Sequence, residues 1–387
     1  MTSVLVDTVF TGECDRPPMN QHPHDTRMLR LAARMALRGH GGAEPNPLVG
    51  CVVCDAEGVI AGTGFHRRCG QGHAERHALD AASDRARGGT AYVTLEPCAH
   101  HGKTSPCSDA LIEAGIARVV VGSRDPNPVA SGGMNTLEAA GIHTELRDDV
   151  PEVQWLNAPF LHRIRTGRPW VLAKWAQTID GRIATASGDS KWISGEQSRR
   201  MVHRERGRTD AILTGMGTVL ADDPMMNARA VRIRRTAMRV VFDPKLATPV
   251  DSRLVRSART IPLLIACRAS EVQSERAASF IAAGAHLHPL DEQRPLENLL
   301  QALAREHSVA NVMVEAGGGL VGQLLAADLI DAALVFTAPR MLGDGDAPGP
   351  ARGLSPERIS DTMNLELVFS GRRDSDLVAW YQRPNHR

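Results

Sequence analysis

A two-domain α/β protein is the fold class that the sequence predicts. Strand-like and helix-like runs alternate from Thr26 to Leu146, and the alternation restarts at Trp170. Gly167-Arg168-Pro169 punctuates the chain between the two stretches. A length of 387 residues suits two or three domains at about 150 residues each. Hydrophobic residues make up 42% of the chain, enough for proper cores, and 23% charged residues is ordinary for a globular protein.

The elements follow in order. Residues 1–24 contain Asp7, Glu13 and Asp15 and lack a basic segment before an apolar core, so they read as a flexible extension, not a signal peptide. Residues 25–147 form the first domain. Its opening helix, Thr26–Arg38, places Met28, Leu31, Ala32, Met35 and Ala36 on one face and stops at Gly39. Leu48–Cys54 is a strand-like run. His73 opens an apolar helical pattern (Ala74, His77, Ala78, Ala81), Ala91–Leu95 is strand-like, and Cys107 opens a helix that ends at Gly115. Arg118–Val121 is a strand, Asp125-Pro126-Asn127-Pro128 a turn, and Gly141–Leu146 a last strand. Residues 148–168 are a linker with a helix over Glu152–Arg165. The second domain, 169–387, starts with the strand Trp170–Ala176. Ser194 and Gln197 predict a capping box for the helix running to Arg206. Ala211–Thr214, Met238–Phe242, Ile261–Ala266 and Asn311–Val314 are further strands, and Leu365–Phe369 with Asp376–Tyr381 a closing hairpin.

Composition excludes several function classes. A net charge of +1 gives no general attraction to nucleic acid or anionic membrane, and 4% aromatics is poor for stacking on single-stranded bases. No apolar run is long enough to cross a bilayer. Seven cysteines in a chain this long make no secreted disulfide framework, so the expected compartment is a reducing cytoplasm. Cys51-Val52-Val53-Cys54 has CxxC spacing, but it lies in an apolar strand with no second CxxC. Alternation puts its cysteines on opposite faces, which favours core packing over a redox or metal role.

Chemistry concentrates in His73-Ala74-Glu75 and in Glu96-Pro97-Cys98, followed after eight residues by Cys107. One imidazole and two thiolates are three ligands for zinc, leaving a fourth tetrahedral position for water, as in catalytic sites. Zinc lowers the pKa of such a water to roughly 7. A carboxylate beside the metal, here Glu75, can then carry protons to a departing amine, the arrangement of the zinc deaminases. His73 and Cys107 fall at helix N-termini, whose positive ends favour thiolate over thiol. A structural zinc site would need a fourth protein ligand, for which His100 and His101 are nearest.

The second domain has a glycine loop, Glu315-Ala316-Gly317-Gly318-Gly319-Leu320-Val321-Gly322, between a strand and a helix over Leu320–Leu329. Such a loop lets backbone N–H groups approach a phosphate. An ordinary tight turn remains the alternative, because the loop comes late in its domain and Asp328 and Asp331 follow too soon for a dinucleotide fingerprint. Arg199, Arg200, Arg204, Arg206 and Arg208 could form a phosphate-binding face, although helix charges more often form a solvated surface.

Longer blocks resemble the bifunctional riboflavin-biosynthesis deaminase/reductase family from about Asp25 to the C-terminus. In the first half they are Pro45–Gly50, Gly72–Glu75 and Glu96–Cys107. In the second they are Lys174–Arg182, Gly188–Ile193, Thr218–Pro224 and the glycine loop. The wide spacing of Cys98 and Cys107 separates the chain from nucleoside and nucleic-acid deaminases, which show Pro-Cys-x-x-Cys.

The resemblance implies a cytidine-deaminase-like αβα domain followed by a dihydrofolate-reductase-like α/β domain. It implies one Zn2+ held by His73, Cys98 and Cys107, with Glu75 as acid/base. The implied substrate is a small phosphorylated pyrimidine, deaminated and then reduced from ribosyl to ribityl with NADPH. Asn46 and Lys103 would contact substrate in the first site, Lys103 through the phosphate. In the second, Ser190, Arg206, Met226, Arg229 and Glu315 would surround substrate, and Ala176, Trp192, Thr218, Asp222, Gly317, Gly318 and Gly319 would surround NADPH. No nucleic-acid or membrane partner is implied, and a homo-oligomer (dimer or tetramer) is expected.

Three departures stand out. Ser105 replaces a common proline, Ala130–Gly133 lacks a common basic residue, and Gln177-Thr178-Ile179 replaces Ser-Leu ahead of Asp180-Gly181. Competing functions are a deaminase with a catalytically silent second half, an RNA-binding protein on a deaminase fold, and a structural zinc module.

Overall fold

Apolar residues run almost continuously along the central strands of the first half, so both faces of its sheet must be covered, and helices cover them. The structure, a computed structural model, describes residues 23–100 and 105–384, and the chain divides into two compact units between Thr166 and Gly167. His101, Lys103 and residues 1–22 of the extension read over residues 1–24 lie outside the described residues; residues 23 and 24 already belong to the first helix.

The first unit has a five-stranded sheet in the order β2-β1-β3-β4-β5, formed by Gly50–Cys54 (β1), Ile60–Phe65 (β2), Thr90–Val93 (β3), Arg118–Val121 (β4) and His143–Leu146 (β5). β1 runs antiparallel to both β2 and β3, whereas β3, β4 and β5 are parallel. One face packs against helix α1 (Pro23–Ala36), burying Met28, Leu29 and Ala32 with Val52, Cys54 and Val120. The other packs against α2 (Ala74–Ala82), α3 (Cys107–Glu113) and α4 (Gly133–Ala139), burying Ala78, Leu111 and Leu137 with Cys51, Val53 and Val119. Cys51 and Cys54 thus sit in different cores, as strand alternation requires. All six described cysteines are free.

β2 and α4 are elements that the sequence does not announce. β2 carries Gly62 and Gly64 at the face it turns toward α2. A Cβ at Gly64 would fall 2.1 Å from the carbonyl of Ala74, and one at Gly62 2.2 Å from that of Ala78. The predicted Glu152–Arg165 helix is two helices, α5 (Pro151–Leu156) and α6 (Ala158–Thr166), parted at Asn157. Val153 and Leu156 join the α1 side of the core. The buried Asn157 side chain accepts from Leu48 N at 2.9 Å and donates to Leu48 O at 3.0 Å, tying α6 to the loop before β1.

The second unit is built on a nine-stranded sheet in the order β10-β9-β8-β7-β11-β6-β12-β14-β13. Its strands are Trp170–Gln177 (β6), Ala211–Gly215 (β7), Met238–Phe242 (β8), Leu263–Arg268 (β9), His286–Leu290 (β10), Asn311–Val314 (β11), Ala332–Thr337 (β12), Glu366–Arg373 (β13) and Asp376–Gln382 (β14). Seven strands are parallel, and the β13–β14 hairpin adds antiparallel to β12. Helices α7 (Glu196–Arg206), α8 (Met216–Asp222), α9 (Glu275–Ala282), α10 (Pro295–Glu306) and α11 (Gly318–Ala326) connect strands.

The capping box predicted at Ser194 and Gln197 does not form. Gly195 is the N-cap of α7 and makes no side-chain cap. Instead Asp376, from the closing hairpin, accepts from Gly195 N at 2.7 Å and from Ser198 Oγ at 2.6 Å. A buried carboxylate satisfies the helix start from across the sheet, a long-range contact that local spacing does not encode.

Candidate active sites

Two strand-to-helix junctions, β2–α2 and β3–α3, bring the first site together. His73 is the extended residue immediately before α2, Glu75 lies in that helix's first turn, Cys98 follows β3, and Cys107 begins α3. His73 Nδ1 lies 3.2 Å from Cys107 Sγ and 3.6 Å from Cys98 Sγ, and the three ligand atoms are all within 4.8 Å of one another. Cys107 N donates to Cys98 Sγ at 3.4 Å. The Cys107 thiol also donates to Cys98, which holds Cys98 down to about 4 and pushes Cys107 far up, so the two sulfurs share one proton. A divalent cation takes that proton's place, and the donor set of one nitrogen and two sulfurs suits zinc.

Glu75 is the second element of the fit. Its carboxyl is buried and its Oε2 has no hydrogen-bond partner, while burial raises its pKa. An orphaned carboxylate oxygen next to a ligand triad is costly to folding unless chemistry uses it.

A cavity of about 390 Å³ opens on the triad, lined by Asn46, His73, Glu75 and Cys98 among others. His100 also lines this cavity and is not part of the ligand cluster. Several other lining residues escape the sequence reading. His66 is buried, and burial lowers its pKa, so its ring is neutral. Nδ1 donates to Gly72 O at 3.2 Å, leaving Nε2 to accept from Asn46 Nδ2 at 3.2 Å, which orients the Asn46 amide. Asp125 and Asn127, legible only as a turn, line the cavity too, as do Phe160 and Arg163 of α6.

Glu96 is structural. It accepts from Gly132 N, Met134 N and Asp125 N at 3.1, 3.2 and 3.3 Å, capping α4 from the strand that leads to Cys98. Within the Ala130–Gly133 loop, Gly133 is required by packing, since a Cβ there would lie 1.7 Å from the Pro97 carbonyl, whereas one at Gly132 would meet open space; nothing in the structure explains why the loop lacks a basic residue.

In the second unit Glu315 stands at the end of β11, buried between two cations. Arg206 Nε and Nη2 reach it at 2.5 and 2.9 Å, and Lys174 Nζ at 3.4 Å. Burial pushes the Glu315 carboxyl up, but Arg206 and Lys174 prevail and hold it at about 2. Arg206 Nη1 also donates to Asn227 O at 3.2 Å, and Arg229 Nη1 to Asn227 Oδ1 at 2.8 Å, so the segment after the buried Met226 converges on the same cluster. Lys174 is a member that sequence reasoning left without a role.

Gly317 N donates to Thr218 Oγ1 at 3.2 Å, joining the glycine loop to α8. Asp222 pairs with Lys191 at 3.5 Å, and Trp192, 66% exposed, stacks on Arg199 at 4.7 Å. Ser190 is half-buried, and Ala176 pairs with Phe336 in the β6–β12 ladder.

The glycine loop divides by role. A Cβ at Gly322 would lie 1.8 Å from Arg352 O and one at Gly318 2.7 Å from Gly349 O, whereas Gly317 and Gly319 face open space. Two glycines admit a neighbouring backbone, and two leave their own backbone accessible, a cradle suited to a phosphate at the start of α11.

Comparison with known proteins joins these two sites in one class. Residues 22–123 match the cytidine and deoxycytidylate deaminase zinc-binding region, and residues 169–379 match the RibD C-terminal domain, making this a zinc deaminase fused to a pyrimidine reductase. The riboflavin biosynthesis protein RibD of Actinobacillus pleuropneumoniae is 39% identical over 361 residues, covering 92% of this chain and 95% of that one. The protein of the same name from Escherichia coli (strain K12) is 40% identical over 357 residues, covering 89% and 95%. Among solved structures, a diaminohydroxyphosphoribosylaminopyrimidine deaminase/5-amino-6-(5-phosphoribosylamino)uracil reductase from Thermotoga maritima superposes with a TM-score of 0.82 at 32% identity, covering 94% of this chain and 100% of that one. The chain belongs to the RibD family of bifunctional riboflavin biosynthesis proteins.

Proposed function

We propose that the chain catalyses two consecutive steps on one phosphorylated intermediate. The first hydrolyses the 2-amino group of 2,5-diamino-6-ribosylamino-4(3H)-pyrimidinone 5′-phosphate. The second reduces the ribosyl group to ribityl, giving 5-amino-6-ribitylamino-uracil 5′-phosphate. The observation that carries the first step is the buried Glu75 carboxylate, its Oε2 without a hydrogen-bond partner, beside the His73–Cys98–Cys107 triad.

Zinc held by that triad supplies Lewis acidity that makes water a nucleophile near neutral pH. Glu75 takes the proton from the attacking water, delivers it to the ring nitrogen, and assists departure of ammonia. Asn46, oriented by His66, holds the ring's polar edge, and Lys103 meets the phosphate. Water replaces the amine, so the ring gains a carbonyl oxygen as ammonia leaves.

In the second unit Arg206, Glu315, Ser190, Met226 and Arg229 hold the sugar chain. The cofactor assigned is NADPH, which supplies hydride when bound. Gly317, Gly318 and Gly319 cradle its phosphates, with Thr218, Asp222, Ala176 and Trp192 around the remainder. Support comes from the open backbone at Gly317 and Gly319 and from the exposed Trp192 face. A cytoplasmic homo-oligomer is the setting proposed for both activities, consistent with six free thiols.

Incubation with the diamino-pyrimidine phosphate, with and without NADPH, followed by mass analysis, tests both steps. Without NADPH the product exchanges an amino for an oxo group, and with NADPH it also gains two hydrogens. Unchanged substrate in both tubes refutes the reading.

A further inference from the structure

The cavity of the first site has an electrostatic problem. Three carboxylates, Glu75, Glu96 and Asp125, line it, and the substrate proposed for it brings a phosphate dianion. Among the described residues that line it, Arg163 is the single lysine or arginine. It stands on α6 with Phe160 and Ile164, three and one positions away, and all three face the cavity.

Arg163 is also uncompensated. Its Nε is buried and has no hydrogen-bond partner, and burial lowers its pKa. A half-buried guanidinium without an anion is unfavourable unless an anion arrives. Its position is fixed from behind, because the paired hydrogen bonds between Asn157 and Leu48 tie the start of α6 to the loop that carries Asn46. Asn46 and Arg163 therefore stand on two segments clamped to each other, and both line the same cavity.

We propose that Arg163 is a substrate-specificity residue of the deaminase site, binding the 5′-phosphate of the pyrimidine nucleotide and so selecting the phosphorylated substrate over its dephosphorylated counterpart. This rests on the deaminase reading above. Guanidinium presents a planar fork of donors that matches phosphate oxygens, and it meets the dianion together with the Lys103 contact proposed above.

The test compares ammonia release by the full-length zinc-loaded protein from the 5′-phosphorylated pyrimidine and from the same compound lacking the phosphate. Arg163→Gln is expected to raise KM for the phosphorylated substrate roughly 10- to 100-fold, the range for losing charge-assisted hydrogen bonds. Its loss is confined to that substrate, with zinc content retained. Arg163→Lys, the variant less disruptive to folding, should show a smaller loss of the same selectivity, because a point charge replaces the fork. Equal losses on both substrates, or none on either, overturn the inference. Wild-type protein that releases ammonia equally well from both substrates overturns it too and leaves the deaminase reading intact. Wild-type protein that releases none from either overturns the deaminase reading itself.

Discussion

Glu75 is buried without a partner for Oε2, and if it moves protons as proposed, changing its charge should separate the two activities. Glu75→Gln keeps the shape of the side chain and replaces none of the three ligands. It should retain zinc, lose at least 100-fold in ammonia release, and leave NADPH oxidation with pre-deaminated substrate unchanged; retained ammonia release would contradict the role. Cys98→Ser removes a ligand and should empty the site, read as lost zinc and a less stable first unit. Glu315 tests the second site through pH. Its carboxyl sits at about 2 when folded, below the ordinary carboxylate value near 4.3. As pH falls, the unfolded chain takes up the proton first, so the stability from this group is fully present above about pH 4.3 and drains away as pH approaches about 2. Glu315→Gln should flatten that acid-side loss in denaturant titrations. At neutral pH it should cost about 3–5 kcal/mol, because Arg206 is left buried without its anion. A wild-type-like profile in the variant would show that the ion cluster is not coupled to folding.

Neighbouring glycines make contrasting predictions, because the backbone around α11 distinguishes them. Gly322→Ala drives a methyl into the Arg352 carbonyl, so it should lower the melting temperature of the second unit whether or not cofactor is present. Gly319→Ala meets open space and should fold normally while weakening NADPH binding, measured by quenching of tryptophan fluorescence. Equal effects on folding would erase the distinction between packing glycines and cradle glycines. That distinction was not legible in the string Gly317-Gly318-Gly319, where a phosphate loop and a tight turn look alike. Strongly periodic segments such as Thr26–Arg38 and the His73 helix are legible as elements from local periodicity, but their buried faces only in part. Leu29 and Ala33 are buried while Leu31 and Met35 are half-buried, and Ala82 is buried while Ala81 is exposed. β2 is not legible, since Gly62 and Gly64 sit where strand propensity is lowest and are required only by the approach of α2. The start of α7 was misplaced for a related reason: its cap, Asp376, is supplied by the last strand. In the first site, ligands with fixed spacing could be read directly. His66 and Arg163 carry no motif and are recognised only once folding places them on the cavity wall.

Two units with separate sheets, each with its own ligand, should respond separately to those ligands. The residues that would hold zinc belong to the first unit, and the proposed glycine cradle belongs to the second. A ligand that binds only folded protein stabilises it by mass action, about 2.7 kcal/mol at a hundredfold excess over Kd. For a unit of this size, that corresponds to roughly 5–10 °C in melting temperature. Calorimetry of the full chain should therefore show a transition that falls on treatment with a zinc chelator and another that rises with NADPH. The Cys98→Ser protein should already show the lowered first transition and retain the NADPH-dependent shift of the second. NADPH raising the chelator-sensitive transition, and leaving the other where it was, would mean that the cofactor binds the first unit and that the glycine loop of α11 is only a turn.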